Sequence, residues 1–338
     1  MHMADALLSP AVGGTMWAVS AGSIAYCSAK VRKGLDDRKV PLMGVLGAFL
    51  FAAQMINFTI PATGSSGHLG GGLLLTILLG PYAAFLTISS VLMVQALFFA
   101  DGGLLALGCN IFNMGFIPAF LVYPLVYKRI AGPAPGRKRL IAATMISAII
   151  GLQLGPLGVV LETVCSGISA LPFSTFALLM LPIHLAIGMV EGAVTVAIVS
   201  FVHKARPEII REALGARPAP HRPLRTVLVS FAVAALLTGS VLSWFASKNP
   251  DGLEWAVARA TGAEELKGPE GGLHAAMTAL QKRTAFLPDY SFKGATGTAK
   301  STAADNLGTS VSGIVGGLMT LVIVFAGGFL LKRRHWVA

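Results

Sequence analysis

The chain opens Met1-His2, and a further histidine, His68, sits in the run Gly64-Ser65-Ser66-Gly67-His68-Leu69-Gly70-Gly71-Gly72. A histidine at position 2 offers three nitrogens to one metal ion. The α-amine of Met1 and the deprotonated amide of His2 close a five-membered chelate ring. That amide and the imidazole Nδ1 close a six-membered ring. The three donors lie in one plane, which suits a square-planar ion such as Ni(II) or Cu(II), and one further nitrogen completes the square. Met1 is expected to be retained, because removal of the initiator generally requires a small second residue. The glycines around His68 permit close backbone approach and unusual dihedrals. Asn57 and Ser66 lie near enough in sequence to hydrogen-bond the ligands from behind.

The other histidines read differently. His203, His221 and His335 fall in basic segments, and His274 lies in a weakly helical stretch that reads as surface. His184 precedes Glu191 by two helical turns and shares its face, and Glu162 lies near the end of the preceding apolar stretch. An acidic residue at the centre of a membrane helix costs on the order of 2.5–3.5 kcal/mol on insertion scales. Such groups either line a cation path or tie helices together, and the second reading is favoured here. The three cysteines, Cys27, Cys109 and Cys165, form no CxxC and read as packing residues.

These residues are carried by an unusually apolar chain of 338 residues. Only 12% are charged, against roughly 25% in soluble domains. This composition excludes a soluble domain, a disordered chain and a disulfide scaffold. A bilayer core about 30 Å thick requires about 20 apolar residues per helix. Stretches near 10–29, 41–57, 68–79, 81–99, 104–127, 140–164, 173–202, 225–245 and 308–331 meet or approach that demand, and Gly80-Pro81 marks a tight reversal. Of 26 Lys and Arg residues, 19 fall in the segments 30–39, 128–139, 203–225 and 332–334. The other seven lie in 246–307, beside seven acidic residues. By the positive-inside rule, nine spans with an outside N-terminus place all four basic segments and the C-terminus in the cytoplasm. The net charge of +11 is then a topology signal and gives no support to nucleic-acid binding.

The expected fold is therefore an all-α polytopic membrane protein. Residues 1–203 form a seven-helix bundle, 204–224 a cytoplasmic linker, and 225–338 a unit of two transmembrane helices around an outer insert, 246–307. The insert shares a membrane face with the N-terminal tail, so it is expected to help seat or release that tail. Residues 1–9 read as a retained, translocated tail, since the first basic residue, Lys30, follows the apolar run.

Several motifs together resemble the substrate-specific component of energy-coupling-factor importers for nickel and cobalt, the NikM/CbiM family. They are Met1-His2-Met3-Ala4-Asp5 with Leu8-Ser9-Pro10, Ser65-Ser66-Gly67-His68-Leu69, and the run from Leu104 to Gly115. Pro182-Ile183-His184 and Glu191-Gly192 add to them. The resemblance covers about residues 1–203. Pro250-Asp251-Gly252-Leu253-Glu254 resembles the PDGLE module, similar to the small N component of nickel systems, over about residues 225–335.

The resemblance implies a tail that plugs back into the bundle. It implies a metal held by the Met1 amine, the His2 amide and imidazole, and the His68 imidazole. It also implies partners: a transmembrane coupling (T) component, docked on small-residue stripes such as Ala21, Ala25 and Ala29 of the first helix, and ABC-type ATPase subunits. The implied setting is a bacterial or archaeal cytoplasmic membrane. Nickel and cobalt are preferred over copper on the resemblance alone.

The chain is expected not to be an enzyme and to hold no ATP site. Its nearest approach to a P-loop, Gly294 to Ser301, has Ala where the second Gly is required. The rival reading is a stand-alone divalent-metal permease that uses Glu162, His184 and Glu191 as a relay.

Overall fold

A computed structural model of the chain describes residues 2–34, 38–215, 224–263, 266, 268–269, 271–292 and 302–333. Met1, linker residues 216–223 with His221, Glu264, Glu265, Glu270, the run 294–301 and His335 lie outside the described residues.

Each apolar stretch becomes a helix. In chain order these are α1 (Pro10–Lys33), α2 (Lys39–Gln54), α3 (Gly72–Leu79), α4 (Pro81–Phe99) and α5 (Leu107–Ala131). Next come α6 (Arg137–Ser166), α7 (Phe173–Ala205) and a short α8 (Pro207–Ala213). The C-terminal unit contributes α9 (Arg225–Ser240), α10 (Gly252–Thr261), α11 (Gly272–Thr284) and α12 (Thr302–Arg333). Starts are set locally. The Ser9 side chain accepts from Val12 N, and Pro10 sits where a missing N–H costs nothing. The middle of α5 is wound as a π-helix, Phe112–Tyr127, around Pro118 and Pro124, which have no amide to donate.

The helix lengths do not by themselves establish nine complete spans. Among the described residues, five helices are long and apolar enough to cross a bilayer unaided: Pro81–Phe99, Leu107–Ala131, Arg137–Ser166, Phe173–Ala205 and Asp305–Lys332. α2 and α9 have 16 residues each, about 24 Å of rise. α3 has eight, about 12 Å, so the stretch 68–79 does not span a 30 Å core by itself. The cause lies in the glycine run. Gly71 is left-handed (φ +72°), and an added Cβ there would lie 2.0 Å from Leu50 Cδ1, so helical geometry begins only at Gly72. A short antiparallel hairpin, β1 (Phe58–Ile60) and β2 (Ser65–Gly67), fills the preceding loop and adds strand to a fold expected to be all-α.

Two ends of the bundle emerge. At one, a cavity of about 360 Å³ is lined by Lys30, Arg38, Lys39, Gly80 and Glu208, and the Tyr123 hydroxyl donates to Ala213 O nearby. At the other lie the tail, the hairpin, the α4–α5 loop and the described part of the insert. The insert is stitched on by Ser247 N donating to Asn57 O (2.7 Å) and Ser66 N donating to Pro250 O (2.8 Å). The apolar core between the ends is anchored by Phe51, Phe85, Phe99, Tyr123 and Tyr127, all fully buried.

Candidate metal centre

The tail folds back into the protein. Met3 and Leu8 are wholly buried in an apolar cluster with Leu105, Val160, Phe176 and Leu253. Asn110 grips residue 3 from both sides. Its Oδ1 accepts from Met3 N at 2.8 Å, and its Nδ2 donates to Met3 O at 3.4 Å. Gly103 N also donates to Met3 O (2.8 Å). Asp5 Oδ1 accepts from Ala106 N at 3.0 Å, which anchors the turn Asp5–Leu7 on the start of α5.

This grip carries His2 to His68. The two imidazoles lie nearly parallel, with centroids 5.0 Å apart and 8° between planes. Both rings are buried. His68 Nδ1 lies 3.1 Å from Leu69 O. A carbonyl only accepts, so Nδ1 carries the proton and Nε2 the lone pair. His2 Nδ1 lies 3.0 Å from Asp101 Oδ1, while its Nε2 is buried with no hydrogen-bond partner among the described residues. Asp101 in turn accepts from the Tyr290 hydroxyl. Burial alone would raise the Asp101 carboxyl. The facing His2 imidazole and the hydrogen bonds from His2 and Tyr290 outweigh burial and hold it well below the usual carboxylate range. Among the described residues no three His, Cys, Asp or Glu side chains converge as a metal site.

The structure brings His2 and His68 together, and Met1, the third expected ligand, lies outside the described residues. The Ser66 side chain and the Asn57 backbone are engaged by the insert. The Ser66 hydroxyl donates to Asn249 O (2.8 Å), and Asn57 O accepts from Ser247 N, so both hold the insert. His274 is a correction. It is buried, and its Nε2 lies 2.8 Å from Leu8 O, so it clamps the tail instead of facing solvent. Asp101 was overlooked by the sequence reading. Its signal was available, since it is the sole Asp, Glu, Lys or Arg between Lys39 and Lys128.

The intramembrane polar residues have definite partners. Glu191, 1% exposed, accepts from Gly70 N (2.7 Å) and Gly71 N (3.0 Å), the amides at the head of α3. Glu162 accepts from Asn113 Nδ2 at 2.7 Å. His184 Nδ1 lies 2.8 Å from Met180 O. Its ring abuts Gly252, where a Cβ would come within 3.0 Å of Cε1 and only glycine fits without displacement. Asp251 caps α10 by accepting from Leu253 N and Glu254 N, and Glu254 reaches back to Asp251 N. The five residues Pro250 to Glu254 thus form a capping box docked between β2 and α7.

Known proteins place this arrangement in a class and then in a family. The chain is 31% identical to a truncated transition metal transporter of known structure, superposing with a TM-score of 0.54 over 61% of this chain and 99% of that one. A family described as cobalt uptake substrate-specific transmembrane region (CbiM) matches residues 2–209, and the chain belongs to it. Residues 225–333 match the PDGLE domain. Both parts occur together in a putative fused nickel transport protein NikMN of Archaeoglobus fulgidus, 34% identical over 98% of each chain. A cobalt transport protein CbiM of Geobacter sulfurreducens is 27% identical over 81% of each.

Proposed function

We propose that the chain is the substrate-specific membrane subunit of an energy-coupling-factor importer, binding Ni²⁺ or Co²⁺ on the outer face and passing it inward with energy from separate ATPase subunits. The observation that carries this reading is the stacked His2–His68 pair held by a buried tail. The ligands are the Met1 amine, the His2 amide and imidazole, and the His68 imidazole. The relatives named for nickel and for cobalt support these two ions as cargo. The ties made by Glu162, His184 and Glu191 favour a structural role over the relay that a stand-alone permease needs.

The T component would dock on α1. Ala18, Ala21, Gly22, Ala25 and Ala29 are all exposed, and no atom lies within 4 Å of a Cβ built on Gly22. Small residues at this spacing let a partner helix approach closely.

The test is direct. Full-length protein loaded with Ni²⁺ and desalted should retain a stoichiometric amount of metal. Its nickel K-edge absorption should report a square plane of nitrogen donors. Oxygen-rich octahedral coordination would sink the assignment.

Orientation has its own test. The charge partition places the tail and insert outside and the basic end in the cytoplasm. With the exposed Cys165 replaced by serine and the buried Cys27 and Cys109 kept, an impermeant thiol reagent applied to whole cells should label Ala263→Cys and spare Gly34→Cys. The reverse pattern overturns the topology.

A further inference from the structure

The insert of the C-terminal unit reaches the metal centre by way of Tyr290. Its segment 281–290 is fastened to the end of α4. Gln281 Nε2 donates to Ala96 O (2.9 Å) and Gly102 O (2.7 Å). Phe286 N and Leu287 N share Phe98 O as acceptor. The Tyr290 ring stacks on Phe99 with centroids 5.3 Å apart and meets Phe51 edge-on. Its hydroxyl donates to Asp101 Oδ2, and the other oxygen of that carboxylate faces His2 Nδ1 at 3.0 Å.

The backbone around this contact is strained. The described non-glycine residues with positive φ are Ala62, Ala100, Asp289 and Tyr290. Three of these four immediately flank or form the Tyr290–Asp101 hydrogen bond. Such conformations are disfavoured and persist only where surrounding structure enforces them. Here they aim the phenol and the carboxylate at each other. The five residues before Ala100, Gln95–Phe99, form a π-helical turn, a distortion frequent at functional sites.

From this geometry we infer that Tyr290 is a positioning residue for the metal centre: it fixes Asp101, and Asp101 fixes the His2 imidazole against His68. The C-terminal unit thereby governs how firmly the tail keeps its ion. A carboxylate on one ring nitrogen sets the tautomer and orientation of a histidine and leaves the other nitrogen to the metal. Here Nδ1 faces Asp101, so the chelate, which takes Nδ1, requires the His2 ring to turn over and offer its Nε2 edge to the carboxylate. The relay rests on the metal site proposed above.

Metal release from full-length, Ni²⁺-loaded protein into excess EDTA, followed by the ligand-field absorption, tests it. Tyr290→Phe removes only the hydroxyl and keeps the aromatic stack. Release should quicken about tenfold or more, within the 10–100-fold range that loss of an outer hydrogen-bond partner costs. Asp101→Asn should do the same, and the double variant should be no faster than Asp101→Asn alone. Independently, ¹⁵N-histidine spectra of Tyr290→Phe without added metal should show the His2 ring signals displaced and those of His184 unmoved. Wild-type release from Tyr290→Phe, multiplicative effects in the double variant, or an unmoved His2 signal each overturn the relay. His68→Ala separates the two claims. If it keeps its metal, the site itself is wrong; if it loses metal while Tyr290→Phe behaves as wild type, only the relay falls.

Discussion

Adding a single residue ahead of Met1 should abolish metal uptake by cells while leaving the protein folded and in the membrane. The expectation follows from where the tail is held. Asn110 and Gly103 grip residue 3 through its backbone, and Asp5 is anchored two residues later. The tail cannot slide, so the grip measures off how much chain lies beyond it. An extra residue turns the Met1 amine into an amide and moves the new amine out of the five-membered ring. The extended start can still chelate Ni(II) in solution through its new amine, two amides and the imidazole. That set fills the plane without His68, and the clamp between tail and α3 loop is lost. Nα-acetylation is a milder block, because it removes the amine donor and leaves both imidazoles in place. Uptake assays on the extended protein, verified uncleaved by mass spectrometry, decide the matter. Normal uptake would refute the chelate. Binding by the native protein should also weaken in mild acid, since the ion displaces protons from the amine, the amide and the imidazoles.

His68→Ala should lose metal retention altogether, measured by metal content after desalting. It removes one of four donors from a square-planar ion, a larger change than the roughly 10–100-fold expected from an outer partner. Its Nδ1 contact to Leu69 O shows a ring already oriented to present Nε2. His203→Ala, in the last turn of α7 at the opposite end of the bundle, is the matched control and should retain metal fully. Equal retention by the two variants would strike His68 from the ligand set.

Much of the bundle was legible in the sequence because membrane helices declare themselves by composition, and the basic clusters mark the ends. What escaped was set by tertiary contacts. α3 reads as part of a span, yet Gly70 and Gly71 give their amides to Glu191 instead of extending a helix. His2 and His68 were legible because chelate chemistry depends on sequence position. The pairing of Asp101 with Tyr290 was not, since they meet across 189 positions. His274 sits in a stretch of ordinary polarity, and only the docking of the insert on the tail reveals that it is buried. The Ser66 hydroxyl and the Asn57 carbonyl hold the insert, a partner the local sequence does not announce.

Glu191 lies within α7 and holds the loop that carries His68. α7 runs 33 residues without interruption, about 50 Å at 1.5 Å per residue. The helix is thus a pushrod with its far end among the basic residues and His68 fastened to its shaft. His2 is moored to a different body, the α4–α5 loop, through Asp101 and Asn110. Any axial travel of α7 relative to α5 would draw the two imidazoles apart, so a displacement at one end of the molecule would become a change in bite at the other.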